Sequence, residues 1–191
     1  MNMSVSYTID RASSKRNIIL QTAHRLFSEQ CFGRAGIDRI IEESSVAKMT
    51  FYRHFKSKEQ LIEACLEFEI EKQISSINAT CSQPHITSSI EKLKALYSWF
   101  IDRAFDLDNR SCIINKALAE LSHLHNIHKI VICYDSWKFN YIQSILLENN
   151  VTNKETHHIF YGFLNSILMP YSFKPDWNSV VKQFDLTLIN T

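Results

Sequence analysis

The segment Val46-Ala47-Lys48-Met49-Thr50-Phe51-Tyr52-Arg53-His54-Phe55 runs directly into Lys56-Ser57-Lys58-Glu59-Gln60-Leu61. Phe51 and Phe55, four residues apart, share a face of any helix built here, and Val46 precedes them on the same side. A short helix from about Ala47 to Phe55 therefore points both rings inward and leaves Lys48, Thr50, Tyr52, Arg53 and His54 around the rest of the rod. Ser57-x-x-Gln60 is a capping box: the serine hydroxyl accepts from the first turn while Gln60 reaches back, so a new and longer helix starts at Lys58.

Upstream, Ile19, Ala23, Leu26 and Phe27 recur at helical spacing within a stretch from about Ser14 to Gln30. Gly33 and Gly36 follow. Ile37, Ile40 and Ile41 then mark a two-turn helix that stops near Ser44, with Ser44, Ser45 and Val46 as the turn. Two short helices joined by a turn and backed by a longer one have helix-turn-helix organisation. Neither short helix is stable by itself, since isolated helices of this length are marginal in water. The major groove of B-DNA admits such a rod. Lys48 and Arg53 can donate to guanine edges or phosphate, and Thr50, Tyr52, His54 and Lys58 to phosphate oxygens. The residue types alone leave open a solvated polar face on a core helix.

Downstream, the helix from Lys58 extends to about Ile77, and the segment from Ser75 to Pro84 closes it. Ser88-x-x-Glu91 and Thr152-x-x-Glu155 are two further capping boxes, the second opening a helix that ends at Pro170. Between them the pattern places a short helix at about Ser111 to His123 and a long one at about Asn126 to Glu148. Pro175 and Asp176 start a last helix that runs to about Leu188. The expectation is an all-α chain of about nine helices: a flexible N-terminus (1–13), a helix-turn-helix unit (14–60) and a second helical domain (61–191).

Composition agrees with helices joined by short connections, for only three glycines and three prolines occur in 191 residues. Residues 1–60 hold ten Lys/Arg against six Asp/Glu, and the remainder eleven against fourteen. That division suits a basic DNA-facing unit followed by a mildly acidic one, although such an imbalance also arises without function. Neither a secretory leader nor a run of roughly 18 apolar residues is present, so a cytoplasmic location is expected. Cys31, Cys65, Cys81, Cys112 and Cys133 form no C-x-x-C pair and read as free thiols, mostly small buried fillers.

The segment resembles the recognition helix and following helix of the tetracycline-repressor (TetR) family, in which a pattern close to V-S-x-x-T-[LIF]-Y-x-[HY]-F-x-x-K-E-x-L recurs. Val46, Thr50, Phe51, Tyr52, His54, Phe55, Lys58, Glu59 and Leu61 match it, as do the A-x-x-L-F residues Ala23, Leu26 and Phe27, and Gly33. The resemblance covers roughly residues 15–65. It implies that Thr50, Tyr52, His54 and Lys58 contact phosphates and that Lys48, Met49 and Arg53 read bases. Three positions depart from the pattern: Ser45 replaces the usual turn glycine, Ala47 replaces the Ser/Thr cap, and Gly36 beside Ala35 replaces a polar residue.

The resemblance further implies a homodimer formed through the last two long helices, about Asn153 to Met169 and Asp176 to Leu188. Ile159, Phe163, Ser166 and Ile167 make a stripe there, with Gly162 permitting close approach, although the same stripe suits intramolecular core. A dimer calls for a palindromic double-stranded DNA operator with half-sites about one helical turn, roughly 34–36 Å, apart. It also implies a repressor released by a small lipophilic effector. Trp99, Phe100, Phe105, Trp137, Tyr141 and Phe160, with Tyr161, supply candidate aromatic walls for its pocket.

No cofactor is called for. His123, His125, His128, His157 and His158 lack a completing carboxylate or cysteine and read as surface or capping residues rather than a metal site. A metal or thiol-redox signal acting on the same DNA-binding function is the alternative, with Cys112 near a helix start as the thiol to consider. A helical-bundle enzyme or carrier finds no support in a nucleophile–base pair, phosphate loop or H-E-x-x-H motif, and no catalytic residue is assigned.

Overall fold

The computed structural model describes residues 11–105 and 113–168. Eight helices and no strand occur among them: α1 (Arg11–Glu29), α2 (Ile37–Ser44), α3 (Lys48–His54), α4 (Lys58–Cys81), α5 (Ser89–Phe105), α6 (Ile113–Leu121), α7 (His125–Glu148) and α8 (Lys154–Ile167). The Phe105 side chain, Cys112 and the expected helix from Asp176 to Leu188 lie outside the described residues. No described helix is long and apolar enough to cross a membrane.

Local chemistry explains most boundaries. Ser57 accepts from the Gln60 amide at 3.1 Å, while Gln60 Oε1 accepts from the Lys56 amide at 2.7 Å, one residue before the expected partner. Glu91 Oε2 accepts from the Ser88 amide at 3.0 Å and Ser88 Oγ from the Glu91 amide, which closes the reciprocal box at the start of α5. At α8 the expected Thr152 cap is displaced by one residue. Asn153 accepts from the Glu155 and Thr156 amides, because its carbonyl reaches the two orphan donors that the expectation gave to threonine.

The end of α2 is a Schellman turn, in which Val46 N–H reaches the Ile41 carbonyl and Ser45 N–H the Glu42 carbonyl. Ser45 stands there at φ 52°, the left-handed region that glycine occupies without penalty. Ala47 precedes α3 with no side-chain cap, as its methyl group dictates.

Two apolar cores organise the described residues. The first unites Ile19, Leu26, Phe27, Ile40, Phe51 and Phe55 of the helix-turn-helix with Leu61 and Leu66 of α4, and extends to Ile113, Ile127 and Val131. The second lies between the far half of α4, α5, α7 and α8, where Ile77, Phe100, Ile145, Phe160 and Leu164 meet. α4 runs unbroken through the boundary expected at residue 60 and belongs to both.

Candidate nucleic-acid interface

Phe51 and Phe55 are fully buried, with ring centroids 6.2 Å apart, and anchor α3 against the first core. Arg16 of α1 lies 5.1 Å above the Phe55 ring. With both rings turned inward, α3 presents Lys48, Met49, Tyr52 and Arg53 to solvent. Met49 is 86% exposed, unusual for an apolar side chain with no partner of its own. Lys48 approaches Asp38 at 3.4 Å, a contact between two solvated side chains that holds neither firmly.

The other expected phosphate contacts are placed differently. Thr50 is buried beside Phe51. His54 is half-buried, and its Nε2 atom is shut from solvent without a hydrogen-bond partner among the described residues. Lys58 turns back and donates to the Phe32 carbonyl at 2.6 Å, where burial lowers its pKa. The exposed polar surface of α3 is therefore narrower than the spacing implies, because a seven-residue helix wedged against α1 and α2 solvates only one side.

The connection between α1 and α2 is clamped from α6, which the sequence reading missed. Lys116 donates to the carbonyls of Phe27, Ser28 and Gln30 at 3.1, 2.6 and 3.3 Å, capping the end of α1. Glu120 accepts from the Phe32 amide at 3.0 Å.

Deeper, His24 of α1 donates to Glu69 of α4 at 2.9 Å, and Arg103 of α5 binds the other oxygen of the same carboxylate. Gln73 donates to Glu69 at 2.8 Å and accepts from the Tyr134 hydroxyl at 2.6 Å. Burial pushes the Glu69 pKa up, but hydrogen bonds from His24 and Gln73 and the charge of Arg103 outweigh it and hold the group down at about 2. A signal was present: Glu69 and Gln73 continue the apolar row of Leu61 and Cys65 toward Ile77.

Between α4 and α7 lies an open groove of about 650 Å³, lined by Glu63, Glu67, Ile70, Glu71 and Ile74 on one side and by Asn126, Lys129, Ile130, Cys133, Tyr134 and Trp137 on the other. Of the expected aromatic walls among the described residues, Trp137 alone lines it. Trp99, Phe100 and Phe160 are buried in the second core and Tyr141 and Tyr161 pack against it, since rings at helical spacing fill the gaps between α5, α7 and α8. Of the histidines, His157 is neither a surface nor a capping residue. Its buried ring donates to the Val151 carbonyl at 2.7 Å and accepts from Gln143, fixing the α7–α8 connection. His158 stacks on Phe139 at 4.8 Å, and His123, His125 and His128 are exposed.

Residues 19–65 match the family model of bacterial regulatory proteins, tetR family. The chain is 26% identical over 152 residues to the TetC protein of transposon Tn10 from Escherichia coli, covering 79% of this chain and 75% of that one. It is 23% identical over 124 residues to the HTH-type transcriptional repressor DhaR of Mycobacterium sp. (strain GP1), with 64% and 61% covered. Its fold is similar to that of SCO4454, a TetR-family transcriptional regulator from Streptomyces coelicolor, at a TM-score of 0.62 and 23% identity over 82% of this chain and 95% of that one. Residues 19–65 thus carry the helix-turn-helix of tetR-family bacterial regulatory proteins, and the eight described helices share the fold of solved TetR-family transcription regulators.

Proposed function

We propose that the protein is a homodimeric repressor that grips a palindromic operator with α3 of each subunit and lets go when a small effector binds. The observation that carries this reading is the exposed row Lys48, Met49, Tyr52 and Arg53 on a helix whose other side is locked by Phe51 and Phe55. Arg53 donates bidentately to a guanine edge, Met49 meets a thymine methyl, and Lys48 and Tyr52 serve phosphates.

Ile159, 67% exposed on α8, and the open face at Gly162 supply an apolar surface for a second copy, whereas Ile167 turns into the chain's own core. The effector site is the α4–α7 groove. From it, Tyr134, Gln73, Glu69 and His24 form an unbroken chain of hydrogen bonds to α1, so an occupant that shifts Tyr134 reaches the DNA-binding unit. Release requires the effector to bind the DNA-free arrangement more tightly than the DNA-bound one. A cytoplasmic location follows from this role.

Fluorescence anisotropy of a labelled operator tests the first step across a salt series. Lys48→Ala lowers the slope of log affinity against log salt by about one unit if the residue contacts a phosphate. An unchanged slope and affinity removes α3 as the DNA-contacting element.

A further inference from the structure

We infer that the α4–α7 groove selects a flat organic cation, a refinement that rests on reading this groove as the effector site. One wall carries Glu63, Glu67 and Glu71, spaced four residues apart and therefore aligned on the rim of α4. Like charges at this spacing destabilise a helix. None of the three carboxylates has an ion pair or hydrogen bond among the described residues, in contrast to Glu69 on the opposite face of α4, which is held by His24, Arg103 and Gln73.

The facing wall is aromatic. Tyr134 and Trp137 stack with centroids 6.0 Å apart and planes 13° from parallel, and Trp137 continues onto Tyr141 at 5.3 Å and 20°. Ring faces attract cations electrostatically and planar ligands by stacking. Ile70, Ile74 and Ile130 supply the apolar remainder of the groove.

Among the described residues Lys129 is the one base in the lining, against the three carboxylates, which gives these residues an excess of two negative charges. A space of about 650 Å³ accommodates two or three fused rings. An anion of that shape meets three carboxylates, whereas a cation satisfies them and lies against Trp137, the partly exposed member of the stack, since Tyr134 is buried with Lys138 Nζ 5.3 Å over its ring.

The test compares pyronin Y with fluorescein, a cation and an anion on the same three-ring skeleton, by dye anisotropy with the full-length protein and no DNA. The chain's formal charge of +1 disfavours the expected result at long range, so a preference for the cation must come from the site. Pyronin Y is expected to bind at least roughly tenfold more tightly than fluorescein, a gap that several partly screened charges produce. Replacing Glu63, Glu67 and Glu71 together by Gln, which keeps their size and touches two exposed positions and one half-buried one, erases most of that gap while the melting temperature holds. Trp137→Leu weakens both dyes.

Equal affinity for the two dyes, or an unchanged pyronin Y affinity in the triple variant, overturns the cation preference. If both dyes then still depend on Trp137, the groove survives as an effector site. If neither dye binds DNA-free protein whose competence for operator binding has been shown separately, the groove reading fails as well.

Discussion

His24 Nε2 stands 2.9 Å from Glu69 Oε2, a contact that bridges 45 positions of sequence and ties the first helix of the DNA-binding unit to the centre of α4. Arg103 reaches the same carboxylate from α5, so one buried anion joins three helices. Glu69→Gln keeps the shape but leaves Arg103 without its charge partner, and a cost of roughly 3–5 kcal/mol is expected. The measurement is denaturant unfolding, with a clear fall in the midpoint expected; a shift within error shows that the carboxylate's charge contributes no net stability.

The same group sets an acid dependence. Because the folded-state pKa of Glu69 lies near 2, below its ordinary 4.5, its contribution is fully present above about pH 4.5 and is lost as pH falls toward 2. The stability difference between wild type and Glu69→Gln should therefore be largest near neutrality and shrink below about pH 4.5. Thermal melts at pH 7 and pH 3 check this, and a difference that does not shrink assigns the effect to packing.

Lys116 offers a separate handle on the α1–α2 connection, since its ammonium donates to three carbonyls at the end of α1. Lys116→Met retains the apolar stem and removes these bonds. Hydrogen bonds to charged groups are each worth roughly 1.5–3 kcal/mol. Amide exchange should accelerate across residues 27–36 while α8 keeps its protection. Uniform acceleration instead reports global destabilisation and no local clamp.

At Ser45 the left-handed φ of 52° carries a steric cost that glycine avoids, partly offset by the extra freedom glycine has when unfolded. Ser45→Gly should raise stability by about 0.5–1 kcal/mol, seen as a melting temperature a few degrees higher. Destabilisation contradicts the strain assigned to the turn.

Arg53 and Lys58 separate reading from support. Arg53→Ala should weaken operator binding and relax preference at particular base pairs by roughly 1–3 kcal/mol each. Lys58→Met should chiefly lower stability, because its ammonium is tied to the Phe32 carbonyl. The opposite assignment, specificity lost with Lys58 and unaffected by Arg53, refutes the orientation of α3.

What the sequence made legible was local. The capping boxes at Ser57 and Ser88, the inward pair Phe51 and Phe55 and the turn at Ser45 all depend on neighbours within a few residues, and each lies where the spacing places it. The burial of Thr50, the retraction of Lys58 to Phe32 and the Lys116 clamp depend on residues 26 to 89 positions away or on how α3 docks, which no periodicity encodes. The aromatic residues illustrate the same limit. Trp99, Phe100, Trp137 and Phe160 have similar helical spacing, yet α5 and α8 bury three of them and leave Trp137 to line the groove.

Selection of bound DNA from a random double-stranded library by the purified full-length protein tests the central claim most directly. The account predicts enrichment of a palindrome whose half-sites lie about one helical turn apart, with base preference inside each half-site lost in Arg53→Ala. Folded, dimeric protein that enriches no sequence, or an asymmetric site indifferent to Arg53, contradicts it.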